Sequence, residues 1–223
     1  MQRTKLRDRI LPNYTRAEEI FNMVTHIVGG GIGVVVLVVC VIYSALFRDA
    51  WAVVSSCIYG ASMIMLYTIS SVYHGLKSPM AKKVFQVIDH CTIYFLIAGT
   101  YTPIVLCAIR RVAPVAAWVV FSVVWGLAAL ATTLTAIDLK KYSGFSFICY
   151  IGMGWCIIGA LKTTITALTP AGFGFILAGG IAYTIGAVFY GFGKKARYIH
   201  SVFHIFVVWG SVLQFVGIFE YAL

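Results

Sequence analysis

Residues 198–223 read YIHSVFHIFVVWGSVLQFVGIFEYAL, and this stretch decides the fold class. It is an almost unbroken apolar run, and about 20 such residues suffice for a helix to cross the hydrocarbon core of a bilayer. A strand of a transmembrane barrel would instead alternate apolar and polar residues. The two histidines of the stretch, His200 and His204, both stand near its start. The pattern predicts a membrane-spanning α-helix with two histidines at one end.

The rest of the chain has the same character. Of its 223 residues 61% are hydrophobic and 11% charged, and the mean hydropathy is +0.94. A water-soluble fold of this composition would expose large apolar patches, so we expect a bilayer as the solvent. Apolar runs predict an all-α, polytopic bundle of seven transmembrane helices in one domain, residues 20–223, after a short basic cytoplasmic segment, residues 1–19. The runs are Ile20–Phe47, Trp51–Tyr73, Val84–Ile109, Val112–Ile137, Phe145–Leu168, Ala171–Phe192 and Tyr198–Leu223.

The basic residues predict the orientation of this bundle. Thirteen lysines and arginines lie in the N-terminal segment and in the loops after the second, fourth and sixth runs, against four on the other side. Because such residues accumulate on the cytoplasmic side, we expect the N-terminus inside and the C-terminus outside. The net charge of +10 is thereby explained by membrane orientation. We predict a multi-pass protein of the cell membrane with no nucleic-acid partner; no pattern in the sequence specifies an oligomeric state.

Five polar residues stand out against the apolar runs. Ser70 and His74 are spaced i, i+4, as are His200 and His204, so each pair shares a helix face. With Asp89, all fall at run ends on the predicted cytoplasmic side. Three imidazoles and a carboxylate form a plausible ligand set for Zn²⁺ with a coordination position left open. Because ionisable groups inside apolar spans are costly, the cluster indicates a functional metal site.

Other polar residues near this end have weaker assignments. His26 is interpreted as a hydrogen-bonded core histidine, with metal ligand and substrate contact as alternatives, and His90 as an interfacial residue. Glu19 and Asn22 share a face at i, i+3 and either orient an imidazole or cap the helix start. The glycines from Gly29 to Gly33 lack the lysine of a phosphate loop, so they predict close helix packing. Pro103 predicts a kink in the third span.

These motifs together resemble a known family. Glu19-xx-Asn22-xxx-His26, Ser70-xxx-His74, Asp89-His90, the stretch Ala98–Pro103 (AGTYTP) and His200-xxx-His204, in this order over nearly the whole chain, resemble the haemolysin III family. That family is the bacterial branch of the progestin and adipoQ receptor superfamily, and the alkaline ceramidases are more distantly similar. The resemblance implies zinc held by His74, His200 and His204, Asp89 contacting a zinc-bound water, and Ser70 beside the metal.

The combined prediction is a zinc-dependent intramembrane hydrolase of a lipid amide or ester. Three neutral imidazoles on Zn²⁺ bring the pKa of a bound water to roughly 7. Asp89 is then the proton acceptor, and Ser70 helps to stabilise the oxyanion. The partners expected are membrane lipids, with an acyl chain in the substrate. Two alternatives stay open: a non-enzymatic sensor or regulator with structural zinc, and a pore or transport protein, which the scarcity of polar groups in the outer half of the spans disfavours.

Overall fold

The computed structural model of the chain describes residues 3–192 and 196–223, in which every regular element is helical. The predicted all-α class is therefore confirmed for these residues. Lys194 and Lys195, counted above among the inner basic residues, lie outside the described residues, as do Met1 and Gln2. The α-helices are α1 (Arg16–Phe47), α2 (Ala50–Gly75), α3 (Pro79–Pro103), α4 (Arg110–Val112), α5 (Pro114–Ile137), α6 (Ser143–Gly154), α7 (Leu161–Phe192) and α8 (Ile199–Tyr221).

Six helical stretches in the described residues are long and apolar enough to cross a membrane, where the sequence predicts seven. The difference lies in the stretch Ser143–Gly191, which holds both the predicted fifth and sixth runs in 49 residues. Its interruptions are a 3₁₀ turn at Cys156–Ala160 and non-helical backbone at Thr169 (φ 63°, ψ 164°). Pro170 follows, and a proline pushes the preceding residue out of helical geometry. A one-residue break thus separates two stretches that the sequence treats as separate spans.

The first helix begins before the apolar run that predicts it. Thr15 caps α1: its hydroxyl accepts from the Glu18 backbone N–H at 3.3 Å, and the Glu18 carboxylate accepts from the Thr15 backbone N–H at 2.8 Å. This reciprocal pair is a capping box. The predicted division between residues 19 and 20 therefore falls inside α1, because a cap, rather than the onset of hydropathy, fixes where the helix starts.

Glycines set the close contacts between helices. A methyl group built on Gly29 of α1 would lie 2.6 Å from the ring of Tyr67 on α2, so the predicted close packing is confirmed there. The second half of α7 packs against α8 in the same way. A methyl on Gly172 would meet Tyr221 at 2.6 Å, and one on Gly186 would meet Phe206 at 3.0 Å. Since residue number rises along one helix as it falls along the other, this half of α7 runs antiparallel to α8.

A π-helical segment, Ile104–Ile109, follows Pro103 and joins α3 to α4. A proline at this place removes a backbone donor and disturbs the regular ladder, and π segments are a common way for a helix to absorb such an interruption. At the place of the predicted kink, the structure thus shows a change of helical type. All six residues of the segment are buried, so the distortion lies within the bundle.

The N-terminal segment crosses one end of the bundle. The Thr4 backbone N–H donates to the Asp138 carboxylate at 2.7 Å, the Arg9 guanidinium donates to the Gln86 side-chain carbonyl at 2.8 Å, and Tyr14 stacks on His200 with ring centroids 5.0 Å apart. Burial acts to raise the pKa of Asp138, but hydrogen bonds from three backbone amides outweigh it and hold that pKa below its ordinary value. We call this end, which holds the starts of α1, α3 and α8 and the end of α2, the histidine end.

Candidate metal centre

Three histidines from two helices converge at the histidine end. His74 lies in the last turn of α2, and His200 and His204 lie in the first turns of α8. One ring nitrogen from each lies within 4.8 Å of the others. The Nε2 atoms of His200 and His204 are 3.1 Å apart. Two nitrogens at about 2.0–2.1 Å from a tetrahedral zinc are separated by about 3.3 Å, so the pair is spaced as ligands of one ion would be.

The orientation of His74 is fixed by a carboxylate on another helix. Its Nδ1 lies 2.6 Å from Glu19 Oε2, and the second oxygen of Glu19 pairs with the Lys82 ammonium at 2.6 Å. Because an ionised carboxylate only accepts, the proton of a neutral His74 ring is on Nδ1 and the Nε2 lone pair is free. This is the usual support of a metal-binding histidine. Glu19 therefore orients the imidazole, and Glu18, its neighbour, is the capping residue.

The donor set fits a zinc ion. His74 is buried at 3% exposure, and its Nε2 has no hydrogen-bond partner in the described part of the chain. A buried polar atom without a partner is costly, and the Nε2 atoms of His200 and His204, 3.1 Å apart, need either one shared proton or, where both are unprotonated, a cation between them. A cation satisfies both conditions, and neutral imidazoles suit zinc among the divalent metals. His74, His200 and His204 are the residues that would hold it.

Ser70 and Asp89 lie beside this cluster on the wall of a cavity of about 400 Å³. Among the described residues, the candidate metal ligands that lie within 4.8 Å of one another are the three histidines; Asp89 is not one of them. The cavity also touches His200 and His204, and from there it passes between largely apolar side chains to Gln214 and Ile176. Its volume is in the range typical of small-molecule sites, which start near 300 Å³. A carboxylate and a hydroxyl therefore line the same cavity as two of the three clustered histidines.

His90 differs from its sequence-based interpretation. The sequence indicates an interfacial residue, whereas the side chain is 15% exposed and lines the cavity. Its Nδ1 lies 2.7 Å from the Gln86 carbonyl, which can only accept, so Nδ1 donates and Nε2 accepts from the Tyr190 hydroxyl at 2.9 Å. Both ring nitrogens are occupied by protein groups, which leaves His90 unavailable as a metal ligand.

His26 and Asn22, on the first helix, are buried without the hydrogen bonds expected of them. The His26 ring stacks on His204 with centroids 3.7 Å apart and meets the Tyr67 ring edge-on at 5.0 Å. In the described residues neither nitrogen of His26, nor either polar atom of the Asn22 amide, has a hydrogen-bond partner. The interpretation as a hydrogen-bonded core histidine is therefore replaced by that of a stacked one, because α1 packs closely enough on α8 to bring the two rings face to face.

The structure also shows neighbours of the site that the sequence does not single out. Tyr14 stacks on His200, and Tyr190 contacts the same ring with centroids 5.9 Å apart. Burial raises the pKa of Tyr14 above its ordinary value, so its phenol is neutral. Lys82 supports Glu19. The signals for these residues are weak, since an isolated Tyr or Lys beside an apolar run is typical of a membrane interface.

Comparisons with known proteins agree with the motifs. The sequence model of the family described as "Haemolysin-III related" matches residues 14–215. The chain is 37% identical to Hemolysin-3 of Bacillus cereus over 206 residues, 92% of each chain. It is 35% identical to the Hemolysin-3 homolog of Bacillus subtilis (strain 168) over 94% of this chain and 97% of that one. A more distant relative, at 27% identity over 78% of this chain and 72% of its own, is the Monocyte to macrophage differentiation factor of Homo sapiens.

Proposed function

The chain belongs to the haemolysin III family of multi-pass membrane proteins, and from this premise we propose that it is a zinc-dependent hydrolase of a lipid amide or ester bond. The observation that carries the proposal is that two of the three clustered histidines, His200 and His204, line a mostly apolar cavity whose wall also presents Asp89 and Ser70. A metal-binding set, a proton acceptor and an acyl-sized space are thus adjacent.

The composition of the ligand set favours catalysis over a structural role. A structural zinc is almost always closed by four protein ligands, whereas a catalytic zinc keeps a position for water or substrate. In the described residues, the carboxylate of Asp89 lies outside the set of three histidines. A fourth position filled from the cavity supports an enzyme, and a directly bound Asp89 would instead support a regulator with structural zinc.

The metal and the residues Asp89 and Ser70 have different roles in the proposed reaction. Zinc, when bound, supplies a Lewis acid that makes water acidic enough to react at neutral pH and that stabilises negative charge on a carbonyl oxygen. The Asp89 carboxylate accepts the proton of the attacking water and then transfers it to the leaving amine or alkoxide. The Ser70 hydroxyl donates a hydrogen bond to the developing oxyanion. The bond broken is the amide or ester linkage, and the products are a fatty acid and the amine or alcohol.

The cavity determines the class of substrate. Beyond the histidine end its walls are contributed mainly by leucine, isoleucine and phenylalanine side chains, such as Leu96, Ile176 and Phe173. Such a space favours an acyl chain over a polar metabolite, because burying polar groups there without partners is costly. Membrane lipids are therefore the expected source of the substrate.

The proposed setting is the cell membrane, with seven spans, the N-terminus inside, and the histidine end at the cytoplasmic face. Support for the seventh span comes from the stretch Ser143–Gly191, whose 49 residues are more than twice the roughly 20 needed for one crossing. The non-helical backbone at Thr169 divides it at the required place. The thirteen basic residues on the side of the histidine end, against four opposite, support the orientation.

The test is release of free fatty acid from a panel of ceramides, other N-acyl lipids and phospholipids by purified protein in lipid, with bound zinc measured on the same sample. We expect release from at least one class, and its loss after chelator treatment and recovery on adding zinc. If protein with full zinc occupancy releases nothing from a broad panel, the proposal is wrong and the regulator with structural zinc replaces it.

A further inference from the structure

The His200 ring at the metal centre is held by an aromatic face. Among the described residues its hydrogen-bond contact is from Nε2 to His204, whereas His74 is fixed at Nδ1 by Glu19. The ring of Tyr14 stacks on His200 with centroids 5.0 Å apart and 15° between the ring planes. An imidazole nitrogen binds a metal in the plane of its ring, so a partner on the face holds the ring without competing for the nitrogen. Tyr14 therefore fixes the orientation of His200 and leaves its metal-binding edge free.

Tyr14 also reaches the second helix that contributes to the metal centre. Its ring lies 5.9 Å from that of His74, centroid to centroid, at an angle of 50° between the planes. It is the last residue before Thr15, the N-cap of α1, so the start of that helix sets its position. One tyrosine thus contacts candidate ligands from both α2 and α8, and it belongs to neither helix.

The N-terminal segment, residues 3–14, ends in this tyrosine and is attached to the bundle by few contacts. Its hydrogen bonds reach Asp138, just after α5, and Gln86 on α3. Little of the segment packs: Ile10 is 91% exposed, and the short 3₁₀ turn Leu6–Asp8 has no buried residue. Segments with few buried apolar contacts open at a free-energy cost far below that of global unfolding. The aromatic stack at its end is therefore one of the few contacts that keep the segment closed.

We propose that Tyr14 positions His200 for metal binding, so that binding of the metal and closure of residues 3–14 over the histidine end favour each other. The stack exists only while the segment lies against the bundle, and it steadies a ligand that a bound metal steadies as well. Each event lowers the free-energy cost of the other, and by linkage the two effects have the same size. The inference rests on the metal centre of the proposed function and is independent of the hydrolytic step.

The first experiment measures the zinc affinity of purified protein in lipid nanodiscs by competition with a chelator of known affinity. We expect Tyr14→Ala to bind zinc about fivefold more weakly, which is the size of one aromatic pair. Tyr14→Phe keeps the ring and should bind zinc as the wild-type protein does. Ile10→Ala is the matched control, because it removes an apolar side chain of the same segment that is 91% exposed, and its affinity should be unchanged.

The second experiment measures the opening of the segment by limited trypsin digestion, because cleavage after Arg3, Lys5, Arg7 and Arg9 follows the population of the open form. The released N-terminal peptides are followed by mass spectrometry, with zinc at saturation and after its removal by a chelator. We expect zinc to slow these cuts about fivefold in the wild-type protein and not in Tyr14→Ala, since the two effects are linked. The variant receives the same zinc and trypsin, so any direct effect of zinc on the protease cancels.

The outcomes separate this inference from the proposed function. Wild-type affinity in Tyr14→Ala, or a loss in Tyr14→Phe as large as in Tyr14→Ala, overturns the positioning role and leaves the hydrolase proposal standing. Cleavage of the wild-type protein at the same rate with and without zinc overturns the coupling, and this measurement needs no variant to fold. Affinity that depends on the Tyr14 ring without any hydrolysis supports the positioning role and overturns the hydrolase. Folded wild-type protein that binds no zinc overturns both.

Discussion

Glu19 and His74 lie 55 positions apart in the chain and meet at 2.6 Å, Oε2 to Nδ1. The other oxygen of the same carboxylate holds Lys82 at 2.6 Å. One side chain at the start of α1 thus joins the end of α2 to the first turn of α3, and in doing so presents the Nε2 lone pair of His74 to the candidate metal position. We therefore expect the affinity of this site for metal to depend on Glu19, which is not itself one of the three candidate ligands.

This contact predicts the effect of Glu19→Gln. The amide keeps the shape of the side chain but loses the negative charge, so it holds the His74 proton less firmly and makes the ring a weaker donor. We expect zinc affinity to fall about 10–100-fold, measured by competition with a chelator of known affinity. Glu18→Gln is the matched control: it removes the same charge from the neighbouring residue and keeps one of the two acceptor oxygens, which bind Thr15 and the Tyr198 backbone N–H. It should leave the affinity nearly unchanged, because the partner of His74 is Glu19. Equal affinities for the two variants would exclude the orienting role.

The metal centre itself is tested by removing its ligands. We expect His200→Ala and His204→Ala each to lose most of the bound zinc in elemental analysis and to unfold at a lower temperature, because a shared ion ties α8 to α2. His90→Ala should retain its zinc, since both nitrogens of that ring are bonded to protein groups. Full occupancy in a variant lacking His74, His200 and His204 together would show that the metal, if any, is bound elsewhere.

The proton-transfer role is tested by Asp89→Asn. This substitution removes a proton acceptor with little change of shape, so we expect fatty acid release to fall about 10²–10⁴-fold with zinc content retained. Ser70→Ala should have a smaller effect, because the metal still stabilises the oxyanion. Initial rates on the lipid found active in the panel provide the measurement. Unchanged activity in Asp89→Asn would mean a different general base, and Glu19 would be examined next.

The packing of α1 against α2 is tested with two glycines of one turn. Gly29→Ala places a methyl group 2.6 Å from the Tyr67 ring, so something must move, and overpacking of this kind typically costs about 1–3 kcal/mol. At Gly31 nothing lies within 4 Å of the added methyl, and Gly31→Ala should be neutral or slightly stabilising. Thermal unfolding of the two variants in the same detergent compares them directly. A similar melting temperature for both would contradict the close approach of the two helices.

The proposed topology is tested with reporter fusions. A fusion after Leu223 should report an outside C-terminus, and one after Lys141 should report an inside loop, because the basic residues are expected on the cytoplasmic side. The pair of fusions also tests the number of spans, since the two sites are separated by three predicted crossings. An inside C-terminus would leave an even number of crossings between Lys141 and Leu223, and the count of seven would be wrong.

The candidate site could be predicted from the sequence to the extent that it depends on local spacing. His200 and His204 share a face because they are one turn apart, and the apolar runs place both near the end of a helix. Glu19 could be assigned only to two alternatives, because its partners His74 and Lys82 lie far away in the chain. His26 could be assigned to the core, where it lies, but not to its contact: its stacking on His204 is set by the closeness of α1 to α8.

The sequence by itself determined the all-helical membrane class and the family. It also determined that the histidines lie near the ends of their apolar runs, because hydropathy and i, i+4 spacing act within single segments. Only the tertiary structure decided which ring nitrogen of His74 is free, which of Glu18 and Glu19 caps α1, and that His26 stacks on His204. The physical reason is that hydrogen bonds and burial depend on atoms brought together from distant helices. The break at Thr169, by contrast, is confined to the backbone of one residue.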